Sequence, residues 1–231
     1  MAADVIAAQA RNFSRSMGVV GLRVATVGQP TLESWRSVVA DQAAARRLRM
    51  RLLGNSERPA LLYFGGYGAG YNESVRLLAQ GIARGGPLSG FDCLLTPHPG
   101  QGGRGLVERE IFKSTGLGPG RVQIVTGDVA SSPEVAACVN VTASDDSTCG
   151  VQSLFIGVPS MYIDAASGSS YTDVAVNRGL IPVVRTVKGL SQFTDVAAAE
   201  GWRFDTRRLR DAGIPSDSAQ RIADEVGFNN L

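Results

Sequence analysis

Residues 141–163, VTASDDSTCGVQSLFIGVPSMYI, decide how the rest of the chain is read. The segment opens as a short β-branched strand. It breaks at the polar turn Ser144-Asp145-Asp146-Ser147-Thr148 and continues as a small-residue helix, expected over Cys149 to Ile156. A Gly157-Val158-Pro159 corner then throws the chain into a second apolar strand. Strand, polar turn, helix, strand is a βαβ unit. Its turn presents hydroxyls and free backbone N–H groups at a helix N-terminus, where anions bind.

Outward from this unit the same alternation recurs. Towards the N-terminus, Ala60 to Phe64 is a continuous apolar run, the pattern of a strand buried on both faces. It empties into Gly65-Gly66-Tyr67-Gly68-Ala69-Gly70. The helix after it carries Val75, Leu78, Ala79 and Ile82 on one face. Phe91 to Thr96 is a strand ending at Pro97-His98-Pro99-Gly100, and a helix is expected from about Leu106 to Ser114. Val122 to Thr126 is a strand, and Ser132-Pro133-Glu134 has the cap-plus-proline form of a helix start. Before these, GLRVATVGQP supplies a strand, and one helical pattern runs from Thr31 through Leu52 to a Gly54-Asn55 end. After them, Leu180 to Arg185 is a strand, and helices are expected at 190–200 and 216–227, the latter capped by Ser216. Residues 2 to about 16 read as a weakly amphipathic helix. The fold class is α/β: a doubly wound, mostly parallel sheet of about seven strands, with helices on both faces. Three stretches are expected: an N-terminal helical extension (1–21), the α/β domain (22–200) and a C-terminal helical extension (201–231).

A formal net charge of +2 argues against nucleic acid as a partner. The basic run Arg46, Arg47, Arg49, Arg51 is either a solvated helix face or a surface that meets a membrane or an acidic partner. No stretch is long and apolar enough to span a bilayer, and no signal peptide is evident, so a cytoplasmic location is expected. Cys93, Cys138 and Cys149 have neither zinc nor CxxC spacing and read as small core residues of a reducing compartment.

Parallel α/β sheets bind ligands at the carboxyl ends of their strands. Three special turns fall there: Gly65 to Gly70, Pro97 to Gly100, and Ser144 to Thr148. The glycine turn is neither a dinucleotide fingerprint, which needs glycine where Tyr71 stands, nor a P-loop, which needs a following Gly-Lys-Ser/Thr. His98, the one histidine, is held by flanking prolines at a strand end and suits hydrogen-bond donation to an anion. With no second histidine, no metal site is expected. Ser144, Ser147 and Thr148 suit a phosphate, whereas Asp145 and Asp146 add negative charge. A bound phosphate therefore requires at least one of these carboxylates to turn away or to pair with a cation. No Gly-x-Ser-x-Gly elbow supports a serine hydrolase.

Taken in order, Val27-Gly28-Gln29-Pro30, LLYFGGYGAG, LLTPHPG and SDDSTCGVQSLFIGVP resemble the C-terminal, nucleotide-sugar-binding half of GT-B glycosyltransferases and the related UDP-N-acetylglucosamine 2-epimerases. The resemblance covers about residues 22 to 200. It implies a Rossmann-like domain equivalent to one half of a GT-B fold. It further implies that Gly66, Gly68 and the Ser147–Thr148 helix start approach the diphosphate of a UDP-type sugar, with His98 near the phosphates or sugar as the catalytic candidate. Gln152 stands where the family often has a ribose-binding glutamate. The implied function is the donor-binding half of a glycosyltransferase or epimerase-like enzyme, with a nucleotide sugar as substrate and no further cofactor. A separate GT-B N-terminal-type domain or subunit would complete it. The alternative is a non-catalytic pseudo-enzyme or protein-interaction subunit.

Overall fold

The computed structural model describes residues 31–67, 70–101, 104–117, 120–145, 147–166, 174–215, 217, 220, 221 and 223. The expected N-terminal helix, the GLRVATVGQP strand, Gly68, Asp146, Ser216 and most of the expected 216–227 helix lie outside these residues.

The described elements run α1 (Leu32–Ala40), α2 (Gln42–Leu53), β1 (Ala60–Phe64), α3 (Tyr71–Ile82), β2 (Asp92–Thr96), α4 (Leu106–Ser114), β3 (Val122–Ile124), α5 (Ser132–Ala136), β4 (Val141–Ser144), α6 (Thr148–Phe155), β5 (Ser160–Ile163), α7 (Val174–Asn177), β6 (Val183–Val184), α8 (Val187–Ala199) and α9 (Arg207–Asp211). Six strands form one sheet in the order β3-β2-β1-β4-β5-β6, and every pairing is parallel. The chain winds outward from β1 through β2 to β3. It then returns to β1's other side and winds through β4 and β5 to β6. The reversal lies between β1 and β4, the topological switch point at which open α/β sheets take their ligands.

Both sheet faces are covered, and the period-2 alternation of the strands sorts their side chains. Leu61 and Tyr63 of β1, Val141 and Ala143 of β4, and Met161 and Ile163 of β5 pack with α3, α4 and α8. Ala60, Leu62 and Phe64 of β1 face the other way, against Trp35 of α1, Leu52 of α2, and Val135 and Ala136 of α5. Beyond them Tyr162 packs with Leu154 of α6 and Leu209 of α9. Beside Tyr162, the small residues Ser144 and Ser160 line the sheet where Gly150 of α6 approaches it. A Cβ on Gly150 would come within 2.9 Å of the Tyr162 ring and 3.1 Å of the Ser160 hydroxyl. Glycine here lets the helix lie close on the sheet.

Four sequence expectations are corrected. The single helix from Thr31 is two helices broken at Asp41, because Asp41 has the better local use: its carboxylate accepts the Ala44 N–H at 2.8 Å and caps α2. Helix α5 is capped by Ser131, one residue before the expected Ser132; the Ser131 N–H and hydroxyl both donate to Glu134, at 2.7 and 2.6 Å. Helix α6 begins at Thr148 rather than Cys149, since Ser147 serves as its cap. The Leu180–Arg185 run contributes only Val183 and Val184 to the sheet, since Pro182 cannot donate to a ladder.

Candidate functional site

Strand register puts three turns at one level. Phe64 of β1 pairs with Thr96 of β2 on one side and with Ser144 of β4 on the other. Gly65, Pro97 and Asp145 therefore all step off the sheet together, at its carboxyl rim beside the switch point.

The turns touch. The Gly65 N–H donates to the Thr96 carbonyl at 2.8 Å. A Cβ on Gly65 would lie 2.8 Å from the His98 backbone nitrogen, and one on Gly66 would lie 3.7 Å from the Asp145 Cβ. The glycine turn is thus the middle member, with the His98 turn on one flank and the Ser144–Ser147 turn on the other. Absence of a side chain at 65 is what lets the glycine turn close on the His98 turn, while a Cβ at 66 would meet the Tyr71 ring at 3.2 Å before it reached Asp145.

His98 is half-buried. The Gly100 N–H donates to its Nδ1 at 3.0 Å. In the neutral ring that bond assigns the proton to Nε2, which is left as a donor. The exposed Tyr67 ring lies against the imidazole, with centroids 4.5 Å apart and planes tilted by 58°.

At the start of α6 the Ser147 hydroxyl accepts the Cys149 N–H at 3.2 Å. Ser144 is fully buried, and its hydroxyl accepts the Ser147 N–H at 3.4 Å, closing the turn from beneath. Thr148 is exposed at the first helical position. Its N–H and hydroxyl have no hydrogen-bond partner among the described residues. A helix start with one hydroxyl spent on capping and the next facing outward is a ready anion contact.

Asp145 is turned inward. Its Oδ1 accepts the Ser74 hydroxyl at 2.9 Å in the first turns of α3, and the residue is buried. The carboxylate sits at the positive end of that helix, which favours its charge. Gln152 is also buried, and its Nε2 donates to Thr31 Oγ1 at 3.0 Å. That bond ties α6 to Thr31, the residue just before α1. Gly66, His98 and Ser147 lie in the turns that follow β1, β2 and β4, Ser144 ends β4 and Thr148 opens α6, whereas Gln152 lies further along α6, facing Thr31.

Three features of the rim escape sequence reading. The buried Tyr71 hydroxyl donates to the buried Glu108 carboxylate at 2.6 Å. Burial, followed by the Glu108 bond and charge, pushes the Tyr71 pKa far above the usual phenol range, so the hydroxyl keeps its proton. Asp164, buried just past β5, pairs with Arg185 just past β6, with Oδ2–Nη2 at 3.1 Å. The Tyr67 ring lies tilted against His98. Each joins residues on different elements, and no local spacing announces such a partner.

The cysteines are not part of the site. Burial pushes the Cys93 thiol up to about 12 and the Cys138 thiol up to about 11; the Cys149 thiol, half-buried, is raised as well. All three are protonated at neutral pH and poor nucleophiles. In the folded protein at pH 8, Cys93 and Cys138 will resist iodoacetamide and become alkylated only when denaturant is added, as read by intact mass. Stoichiometric labelling of either without denaturant would contradict this burial. Among the described residues, no group of three or more His, Cys, Asp or Glu could hold a metal ion. No described helix is long and apolar enough to cross a membrane.

No family model and no curated protein matches this sequence. Solved structures do share its fold. UDP-GlcNAc 2-epimerase from Methanocaldococcus jannaschii, in complex with UDP-GlcNAc and UDP, superposes with a TM-score of 0.62 at 12% identity, over 95% of this chain and 59% of its own. UDP-GlcNAc 2-epimerase from Neisseria meningitidis, bound to UDP-GlcNAc, gives 0.62 at 10% identity, over 88% of this chain and 55% of its own. Sucrose-phosphate synthase from Thermosynechococcus elongatus gives 0.60 at 15% identity, over 97% and 56%. The fold is that of a Rossmann-like, GT-B-type domain, and the chain spans a little over half the length of these structures.

Proposed function

We propose that the chain is the donor-binding half of a nucleotide-sugar-dependent enzyme, a glycosyltransferase or an epimerase-like protein. It would hold the diphosphate of a UDP-type sugar at the carboxyl rim. One observation carries this reading: the glycine turn, the His98 turn and the start of α6 leave three adjacent strands at the same register and touch. The fold neighbours add support, since two of them were solved with UDP-GlcNAc. In this reading Gly66 and Gly68 admit the phosphates close to the backbone. Thr148 donates from its hydroxyl and N–H, Ser144 and Ser147 hold the turn in shape, and His98 donates from Nε2. Developing charge on a departing diphosphate would be met by these fixed dipoles. Gln152 would reach the ribose as a neutral partner. A second domain or subunit would supply the acceptor side.

Calorimetric titration with UDP and UDP-sugars tests the reading. Binding in the micromolar to millimolar range is expected, and Thr148→Val should weaken it by about tenfold, the loss of one hydrogen bond to a charged group. A folded sample that gives no heat with any nucleotide would sink it. The second reading, a non-catalytic module, is favoured by Gln152, whose amide is already engaged by Thr31. That reading predicts no nucleotide binding.

A further inference from the structure

A cavity of about 470 Å³ opens at the end of the sheet opposite the rim, beside the amino ends of β4 and β5. It is lined by Arg46 and Arg49 of α2, by Asn140 and Val158 just ahead of the two strands, and by Trp202 and Arg203 beyond α8. Three arginines line it, and no aspartate or glutamate does. Its size is in the range of small-molecule sites.

Arg49 is fixed. Its guanidinium donates to the Cys138 carbonyl at 2.6 Å, the Arg58 carbonyl at 2.9 Å and Asn140 Oδ1 at 3.5 Å. All three acceptors are neutral, so the charge is held in place without a carboxylate against it. Arg46 and Arg203 are exposed and have no hydrogen-bond or ion-pair partner among the described residues. Elsewhere on this surface arginines do find carboxylates: Arg58 with Asp92, Arg76 with Glu73, Arg207 with Asp205. The cavity therefore concentrates uncompensated positive charge over a partly apolar floor.

Trp202, at the cavity's margin, is also held in place. Trp202 is the one described non-glycine residue with a positive φ, at 56°. Its N–H donates to the Ala197 carbonyl at 2.7 Å, and its indole stands edge-on to Phe91 at 5.5 Å. Together with the Gly201 N–H, which donates to the Ala198 carbonyl at 3.0 Å, the Ala197 bond closes the C-terminus of α8 and fixes the backbone of Trp202. Trp202 and Arg203 together line this side of the cavity.

We infer that this cavity binds an oxyanion-bearing small molecule, phosphorylated or polycarboxylate, gripped by Arg46 and Arg203 around the fixed charge of Arg49. Guanidinium forks match both kinds of oxyanion in bidentate geometry. The site is independent of the rim: a β4 strand of four residues, roughly 13 Å long, separates the two ends. The inference stands whether or not the rim binds a nucleotide sugar.

The chain has two tryptophans, Trp35 and Trp202, so 5-fluorotryptophan labelling yields two fluorine NMR resonances, assigned with Trp202→Phe. Pyrophosphate and citrate are titrated separately, against sodium chloride at matched ionic strength. The expected result is a saturable shift of the Trp202 resonance with at least one of the two. The response identifies the phosphoryl or carboxylate class. It should survive Thr148→Val, and it should need about tenfold more ligand, or more, in R46A/R203A. Both arginines are exposed; R46E alone serves as a second variant and should weaken the response in the same direction. The inference is overturned if neither anion shifts Trp202 beyond the salt control. It is equally overturned if the shift is unchanged in R46A/R203A and R46E, or if it vanishes with Thr148→Val.

Discussion

Gly65→Ala lowers the urea midpoint of this protein, by the equivalent of about 1–3 kcal/mol, the usual range for forcing volume into a packed site. The added methyl carbon would stand 2.8 Å from the His98 nitrogen, 3.0 Å from the Thr96 oxygen and 3.1 Å from the Pro97 Cα. All three are main-chain atoms, so no rotamer change relieves the contact. Relief requires β1 and β2 to part at the bond where the Gly65 N–H meets the Thr96 carbonyl. Gly127→Ala is the control. Its Cβ would meet nothing within 4 Å, and it should leave the midpoint in place. Equal midpoints for the two variants would mean that the turns do not touch as described. If the rim also binds nucleotide, Gly65→Ala should reduce that binding even where the protein stays folded, because it moves His98 relative to Gly66.

Leu62→Ala is the larger loss, about 2–5 kcal/mol, as for truncation of a fully buried leucine. Leu62 is completely buried at the middle of the central strand, in the cluster that holds Trp35, Leu94 and Val135. It has strands on both sides, and little in its surroundings can collapse into the space vacated. Val196→Ala, on the exposed side of α8, should stay within about 0.5 kcal/mol of wild type. Chemical denaturation of the two variants side by side makes the comparison; a Leu62→Ala loss below about 1 kcal/mol would contradict the packing of that face.

The parallel α/β class and the position of the three turns at the carboxyl edge of the sheet were legible because they depend on local pattern. A continuous apolar run such as Ala60–Phe64, followed by glycines and a 3.6-period stripe, has one economical reading. Val75, Leu78, Ala79 and Ile82 are indeed all buried against the sheet. The break at Asp41 was missed for the opposite reason. Helical periodicity continues across it, and only the competition between a helix-interior and a capping use of one carboxylate distinguishes two helices from one. Ser131 displaced Ser132 as a cap on similarly fine grounds, since its distance to Glu134 is what completes the box. The rim's polar wiring was not legible at all. Tyr71 and Glu108 are 37 positions apart, Ser74 and Asp145 are 71, and Gln152 and Thr31 are 121. Composition can mark such residues as polar, but only the winding of the chain introduces them to one another. Asp145 illustrates the point: in the sequence it is a charge in the way of a phosphate, and in the fold it is an acceptor buried against α3.

The contact between the glycine turn and its two flanking turns has a thermodynamic consequence. Ordering a loop residue on binding typically costs on the order of 1–2 kcal/mol of conformational entropy. At this rim the fold's own hydrogen bonds hold the turns: Gly65 is bonded to Thr96, the Gly100 N–H to the His98 ring, and the Ser147 N–H to the Ser144 hydroxyl. Much of that ordering has already been done during folding. A molecule landing on Gly66, His98 and Thr148 would meet a surface whose shape it need not create, and its affinity would report contact rather than rearrangement.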